Sequence, residues 1–529
     1  MSRRSHRVRC PQEGGRAPTL LLTWRRFASP PAFVLWPLAL AILLAAASLV
    51  WPVAAPDLAA QTVRATVFTR AGMVPWWGGW YGGLQTTTYS LLTPALMSWW
   101  SVSGVAAAVI VAAPLAAAPF LAGARRPCAA GLALVTTVTA CVVDGRVTFS
   151  VGLLLLLGAL SAAALGWPGR AAGVAFLCAA ASPVAGVFAV MIAAAVLPMR
   201  GRRAAELSMS LGGACGLLLL WWLSAGETVG REPYNVLAQM LTVGVAATVV
   251  LLPVGGRVRA VAVATVLLVI YCREAATPLG SNVSRLVLVG APVAVAAQLK
   301  SRAVVVLAAV CLAGWATMAD LTWTIQQANS SGVNPTFVAG LRSELQRLPE
   351  VAAQRVEVVD VASHWPTARL VGVATLARGW ERQTDEALNP ELYSRALTPL
   401  QYRRFLDRNA VALVALPLVA PLDFGSRAEA RLIATGVDYL RPVWQDAQWT
   451  LYAVHDPLPV VAPPAADVRL TDTGVRFVAT HPGRYVTTLR WSVYLSTGQG
   501  RLTRTPDGYT AVMVPRTGPV TIQAAWRLP

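Results

Sequence analysis

Residues 171–198 read AAGVAFLCAAASPVAGVFAVMIAAAVLP, and the number of times this run crosses a membrane orients everything after it. A spanning helix takes about 20 apolar residues, so the run is too long for one. It also holds Pro183 directly after Ser182. Proline lacks an N–H and clashes with the preceding turn, which gives a break a physical cause. Read as one span, the run sends Arg200, Arg202 and Arg203 outside; read as two short helices broken near Ser182-Pro183, it keeps them inside, where basic flanks belong. We read the broken pair.

Working outward, further apolar runs lie at about 31–53, 103–122, 127–143, 148–166, 206–224, 236–253, 258–272, 284–299 and 303–320, eleven segments in all. The first follows Arg3, Arg4, Arg7, Arg9 and Trp24-Arg25-Arg26 and lacks a small-residue cleavage site. It reads as a retained signal-anchor behind a basic cytoplasmic tail, residues 1–30. The N-terminus is then inside and the C-terminus outside. With that orientation 17 Arg and Lys fall inside and 6 outside, whereas only Glu13 and Glu206 of the eight acids are inside. Chemistry is therefore expected on the outer face.

Composition agrees. The 529 residues are 56% hydrophobic and 13% charged, against about a quarter charged in soluble domains. Residues 1–320 hold 23 Arg/Lys and 8 Asp/Glu, so they carry +15 of the +19 net charge. Those basic residues sit between apolar runs, facing anionic lipid, and do not form a nucleic-acid surface. All seven cysteines lie before residue 320 without pattern, and four histidines show no pairing at metal-ligand spacing. Neither a disulfide framework, a metal nor a cofactor is expected.

The expected membrane domain, 31–320, carries a long outer loop at 54–102. It contains Pro56-Asp57-Leu58-Ala59-Ala60-Gln61, Trp76-Trp77-Gly78-Gly79-Trp80-Tyr81-Gly82-Gly83-Leu84-Gln85 and Tyr89-Ser90-Leu91-Leu92-Thr93-Pro94. Asp57 stands just past the first span, in a stretch short of acids; it is either a helix-end carboxylate or a reactive one. The aromatics are either an interfacial belt or, with the Gly-Gly pairs and Gln85, a shaped polar surface suited to sugar. Two further outer loops hold Arg231-Glu232 and Arg273-Glu274 with Thr277-Pro278-Leu279-Gly280-Ser281-Asn282-Val283-Ser284-Arg285.

After Asp320 the chain turns polar. Helix-like 335–348, a strand at 355–360, helices near 399–408 and 426–435 and strands at 410–417 and 448–454 predict a small α/β domain over 333–456. Short strands with turns at Asp472-Thr473-Gly474, His481-Pro482-Gly483, Gly498-Gln499-Gly500 and Pro506-Asp507-Gly508 predict an antiparallel β module over 465–529. No phosphate loop or nucleophile elbow marks either as a separate catalyst.

A long first outer loop with an acid just after the first helix resembles the GT-C class of membrane glycosyltransferases. Several stretches, among them Trp80-Tyr81-Gly82-Gly83, Gly145-Arg146-Val147-Thr148-Phe149, Ala181-Ser182-Pro183-Val184-Ala185-Gly186 and Ala377-Arg378-Gly379-Trp380-Glu381-Arg382-Gln383, resemble a bacterial membrane-protein family of that layout, sometimes labelled as MFS transporters. Where that pattern leads us to expect a His after the Trp-Tyr-Gly-Gly stretch, this chain has Leu84-Gln85.

The resemblance implies an α-helical polytopic domain followed by an extracytoplasmic α/β plus all-β region in a bacterial plasma membrane. It implies sugar transfer from a polyprenyl-phosphate (lipid-linked) donor to an envelope glycan or lipid acceptor. Asp57 is then the general base. Substrate contacts come from Gln61, Arg64, Trp80, Tyr81, Gln85 and Tyr89; from Arg146, Arg231, Glu232, Arg273, Glu274, Asn282 and Arg285; and from Arg378, Trp380, Glu381 and Arg382, which a solvated loop or a substrate lid accommodates equally. A transporter and a non-catalytic envelope scaffold are the alternatives.

Overall fold

The computed structural model describes residues 32–199, 203–224, 230–232, 234–275, 277–298, 301 and 321–527. The basic tail, the last apolar run at 303–320, and Arg200, Arg202, Lys300 and Arg302 lie outside them.

The helical half runs α1 (Ala32–Val50), α2 (Pro56–Ala71), α3 (Thr93–Trp100), α4 (Val102–Leu121), α5 (Pro127–Val143), α6 (Val147–Ala164), α7 (Pro168–Ala181), α8 (Pro183–Val196), α9 (Arg203–Leu223), α10 (Val236–Leu251), α11 (Gly256–Glu274) and α12 (Ser284–Gln298). Proline opens α2, α5, α7 and α8, where its missing N–H costs no helix bond and its fixed φ suits the first turn. The 171–198 run breaks at Ser182, whose backbone is extended and whose hydroxyl accepts from the Ala185 N–H. Among the described residues, α1, α4, α6, α9 and the stretch Gly280–Gln298 are long and apolar enough to cross a membrane; α5, α7, α8 and α10 are apolar but shorter. Small residues set the packing. A Cβ on Gly212 of α9 would lie 2.1 Å from the Ala172 carbonyl oxygen, and one on Gly216 2.7 Å from Ala179 Cβ, so α7 and α9 meet backbone to backbone.

The C-terminal region is rich in sheet. β3 (Arg355–Val358), β4 (Val411–Pro417), β5 (Leu440–Gln445) and β6 (Trp449–Val454) pair in the order β3-β4-β6-β5, with only the β3–β4 pair parallel. Helices α13 (Ala339–Leu345), α14 (Trp365–Arg369), α15 (Arg382–Leu388), α16 (Pro399–Arg408) and α17 (Arg427–Ala434) accompany them. Thr398 and Gln401 close α16 with a reciprocal capping box. The strands β7 (Ala465–Thr471), β8 (Gly474–Ala479), β9 (Gly483–Arg490), β10 (Leu495–Ser496), β11 (Arg501–Arg504), β12 (Tyr509–Val514) and β13 (Gly518–Ala524) follow. They form two antiparallel sheets, β10-β13-β8-β7 and β11-β12-β9, and Phe477, Ile522, Tyr485 and Val512 bury one common core between them.

The first loop is the joint between the halves. It folds as α2, a hairpin of β1 (Trp76–Trp77) and β2 (Leu84–Gln85), and α3. Trp76 enters the core of the β module, whereas Trp77, Trp80 and Tyr81 enter the α/β core. Glycines make this possible. A Cβ on Gly83 would sit 2.0 Å from the Trp76 ring and one on Gly379 2.0 Å from the Trp80 ring, so each indole lies flat on bare backbone. The Gly-Gly pairs thus serve packing and leave Trp80 and Tyr81 at 1% exposure. They are not an open sugar platform.

Candidate functional site

Helix α2 begins at Pro56, which puts Asp57 in its first turn beside the positive end of the helix dipole. Asp57, Gln61 and Arg64 follow at i, i+4 and i+7, along one face. Gln61 is wholly used in structure. Its amide nitrogen donates to the Asp57 carbonyl at 3.1 Å and to the Gly145 carbonyl, while its oxygen accepts from the Thr148 N–H at 2.8 Å and hydroxyl at 3.0 Å. Gly145 has φ of +82°, and a Cβ there would meet Ala55 Cβ at 2.9 Å and Asp57 Cβ at 3.2 Å. The Gly145–Phe149 stretch therefore seats directly against the backbone that carries Asp57.

Three further groups, Arg285, Tyr89 and Glu232, lie within electrostatic reach of Asp57. Arg146, Tyr89 and Asp57 all lie within electrostatic reach of Arg285, whose guanidinium stands 5.5 Å from the Phe149 ring centroid. Arg146 pairs with Asp144 at 3.0 Å, and Asp144 also accepts from Thr324 at 2.7 Å. Glu232 accepts from the Ser281 hydroxyl at 2.8 Å. Burial raises its carboxyl above the usual range and Asp57 adds to that; Ser281, Arg285 and Arg382 oppose it. Burial likewise raises the Tyr89 phenol, Asp57 adding to this while Arg64 and Arg285 pull the other way. Arg64 is ion-paired with Glu381 and lies 4.1 Å over the Tyr89 ring. Burial brings its guanidinium down to about 10.

Below this chamber lies an apolar cavity of about 640 Å³, with Arg285 and Phe149 at the chamber end and Ala164, Val196 and Gln298 at the other. The arrangement offers a carboxylate, several cations and a greasy slot leading away from them. That combination suits an anionic headgroup on a long apolar chain.

Other sequence-selected residues stand apart. Arg231 donates to the Arg273 carbonyl, Arg273 donates to Gln239, and Glu274 is 75% exposed. Asn282 sits in the short turn Gly280–Val283 that leads into α12, three residues before Arg285. Gln85 is buried, with neither end of its amide partnered among the described residues. The Arg378–Arg382 stretch is neither a solvated loop nor a free lid. Arg378 is buried among Glu357, Asp385 and Glu429 at 3.3, 2.7 and 3.0 Å. Trp380 stacks on His364 at 3.3 Å, and Arg382 pairs with Asp423 at 2.7 Å. His364 is held by Asp360 at 2.5 Å, and the neighbouring Trp365 indole donates to the Ala54 carbonyl just past α1. Within the stretch, Gly379 packs against the Trp80 ring of the first loop, Glu381 pairs with Arg64, and Arg382 lies within electrostatic reach of Glu232.

Sequence reasoning missed Asp144 and Ser281, which position Arg146 and Glu232. Both lie in or beside the motifs quoted above; Asp144 is two residues from Arg146 but its second partner, Thr324, is 180 residues away, and Ser281 is 49 residues from Glu232. Among the described residues no three His, Cys, Asp or Glu side chains gather as a metal site.

No family model matches the sequence, and no curated protein matches it. Among solved structures, the cryo-EM structure of the arabinofuranosyltransferase AftD from mycobacteria is similar over 94% of this chain, at 14% identity and a TM-score of 0.47. The chain spans 60% of the length of that structure.

Proposed function

We propose that this protein is a membrane glycosyltransferase of the GT-C type, which moves a sugar from a polyprenyl-phosphate carrier to an envelope glycan or lipid on the outer face of a bacterial plasma membrane. One observation supports the reading: Asp57, Arg146 and Tyr89 lie within electrostatic reach of Arg285, which lines a long apolar cavity. The β-rich region, 333–456 and 465–529, stands on the same outer side.

In the reaction, an Asp57 carboxylate oxygen takes the proton of an acceptor hydroxyl, and that oxygen attacks the anomeric carbon. The bond from the anomeric carbon to the phosphate oxygen breaks, and its electron pair leaves with the polyprenyl phosphate. Arg285 and Arg146 meet the charge that develops there, as guanidinium groups bind phosphate oxygens in pairs. The cavity holds the first part of the isoprenoid chain. Glu232 faces the same space and is suited to bind sugar hydroxyls. Arg64 closes the acceptor side through Glu381.

Transfer from radiolabelled polyprenyl-phosphate sugars, in membranes holding wild type or Asp57→Asn at matched expression, tests this. Loss of a general base costs about 10²- to 10⁴-fold. Unchanged transfer by Asp57→Asn removes Asp57 from the mechanism, and no transfer from wild type with several donors and acceptors sinks the enzyme reading.

A further inference from the structure

We propose that the end of the apolar cavity away from the outer domain binds the headgroup of a zwitterionic phospholipid, with Arg257 taking its phosphate and Glu206 its ammonium. On α6 the cavity lining runs from Phe149 to Ala164, which at 1.5 Å per residue is about 22 Å. The hydrocarbon core of a bilayer is about 30 Å thick, so the two ends of the cavity lie near opposite interfaces. A lipid carrier headed at Arg285 needs only apolar walls at the far end.

The far end is not apolar. Glu206, in the first turn of α9, lines the cavity at 6% exposure and pairs with Arg257, in the first turn of α11, at 3.2 Å. Removing a carboxylate from water costs several kcal/mol unless hydrogen bonds offset it. One oxygen of Glu206 has Arg257; the other is buried without a donor among the described residues. That oxygen calls for an N–H from a ligand. Arg257 is half-exposed at the mouth and offers the fork geometry that phosphate prefers.

Charge decides the class of lipid. The neighbouring Arg259 is spent on the Val250 and Leu252 carbonyls at 3.1 and 3.3 Å. Among the described residues, what lines this end of the slot is one cation beside one carboxylate, a net-neutral pair. It complements a phosphoethanolamine group better than a purely anionic headgroup, which Glu206 repels. The inference is independent of the glycosyltransferase reading.

The test is binding of phosphatidylethanolamine, phosphatidylcholine and phosphatidylglycerol to delipidated full-length protein in detergent, followed by native mass spectrometry. Hydrogen bonds to charged groups predict phosphatidylethanolamine about tenfold ahead of the other two. Phosphatidylcholine presents no N–H to Glu206, and phosphatidylglycerol presents no ammonium. Glu206→Gln should bring phosphatidylethanolamine and phosphatidylglycerol to within a factor of about three, and Arg257→Gln should weaken phosphatidylethanolamine by about tenfold. Should Glu206→Gln fail to fold, the variant on the half-exposed arginine tests the site by itself. Equal or tighter phosphatidylglycerol binding by wild type overturns the proposal, as does an unchanged lipid ratio in Glu206→Gln or unchanged affinity in Arg257→Gln.

Discussion

Replacing Arg378 with Ala removes the central cation from a pocket that holds three carboxyls. Arg378 makes three hydrogen bonds to Asp385 at 2.7–3.1 Å, one to Glu429 at 3.0 Å and one to Glu357 at 3.3 Å, and all three acids are buried. Asp385 also accepts from Asn389 and Tyr393, and Glu429 from Tyr402. Glu357 has one oxygen with no donor facing it among the described residues, and burial with the nearby Glu429 charge pushes its carboxyl well above the usual range. Arg378 is thus the cation that Asp385 and Glu429 hold at 2.7 and 3.0 Å, with Glu357 farther off at 3.3 Å.

Without Arg378 those two carboxylates are uncompensated. Breaking a buried pair on one side costs about 3–5 kcal/mol. Relief by protonating one of them at pH 7 costs about 4 kcal/mol, three pH units from an ordinary carboxyl at 1.36 kcal/mol each. The two routes agree on about 4 kcal/mol. At about 2–4 °C per kcal/mol for a region of this size, the β-rich region should melt about 8–16 °C lower, read by tryptophan fluorescence of the full chain in detergent. The loss also has a sign with pH. Burial raises the Glu357 and Glu429 carboxyls in the folded state, so their stabilising share is present in acid and lost as pH rises. The gap between variant and wild type should narrow as pH falls toward 5. A loss below about 1 kcal/mol, or one that does not vary with pH, refutes a charge-compensation role.

Glu357→Gln keeps the side-chain shape without the titrating group, so it should cost less than about 1 kcal/mol and flatten the decline in stability as pH rises through the raised Glu357 pKa; an unfolding titration in both proteins checks this. Trp80→Ala should lower stability by about 3–5 kcal/mol, as for a buried aromatic, and a variant that instead melts normally but binds glycan weakly contradicts the packing role. Gly145→Ala forces a Cβ against Ala55 and Asp57 at a positive φ; donor transfer should fall by more than the loss of folded protein, measured by transfer per unit of folded enzyme. Gly216→Val separates α7 from α9 and should reduce the monodisperse yield from size-exclusion chromatography, whereas Gly244→Val, at an open helix position, should not.

Much of the helical half is legible along the chain. Apolar runs give α4 and α5 to within a residue, because helix ends there coincide with Arg125-Arg126 and Pro127. Ser182-Pro183 marks a break because both its cap and its proline are local chemistry. The first loop misleads for the opposite reason. Its tryptophans and glycines look like a surface until their partners, Gly379, Arg490 and Asp472, arrive from hundreds of residues away. Strand β5 is hidden by its own exposure, since Arg441, Pro442 and Val443 all face solvent and leave no alternation to read. Around Asp57, the chain order suggests which loops are outside but not which arginine stands nearest. That depends on how α12 packs beside α5, and periodicity does not encode it.

Because Trp76 belongs to one C-terminal core and Trp77, Trp80 and Tyr81 to another, neither core is complete within the C-terminal sequence. The Trp526 indole donates to the Met73 carbonyl across 453 residues, and Arg490 reaches the Tyr81 carbonyl across 409. At about 5–20 residues per second of synthesis, the loop waits about 20–90 s before its last partner exists. Trp77, Trp80 and Tyr81 have no core to enter until the α/β residues up to Ala453 exist, and Trp76 none until the strands up to Ile522 do; contacts of such long range close slowly in any case. The loop thus acts as a folding checkpoint: a chain that stops short of its final strands leaves Trp76 without its core, which marks it for chaperones and proteases. By the same reasoning, residues 333–527 expressed alone should aggregate, and supplying residues 72–92 in trans or by fusion should rescue them.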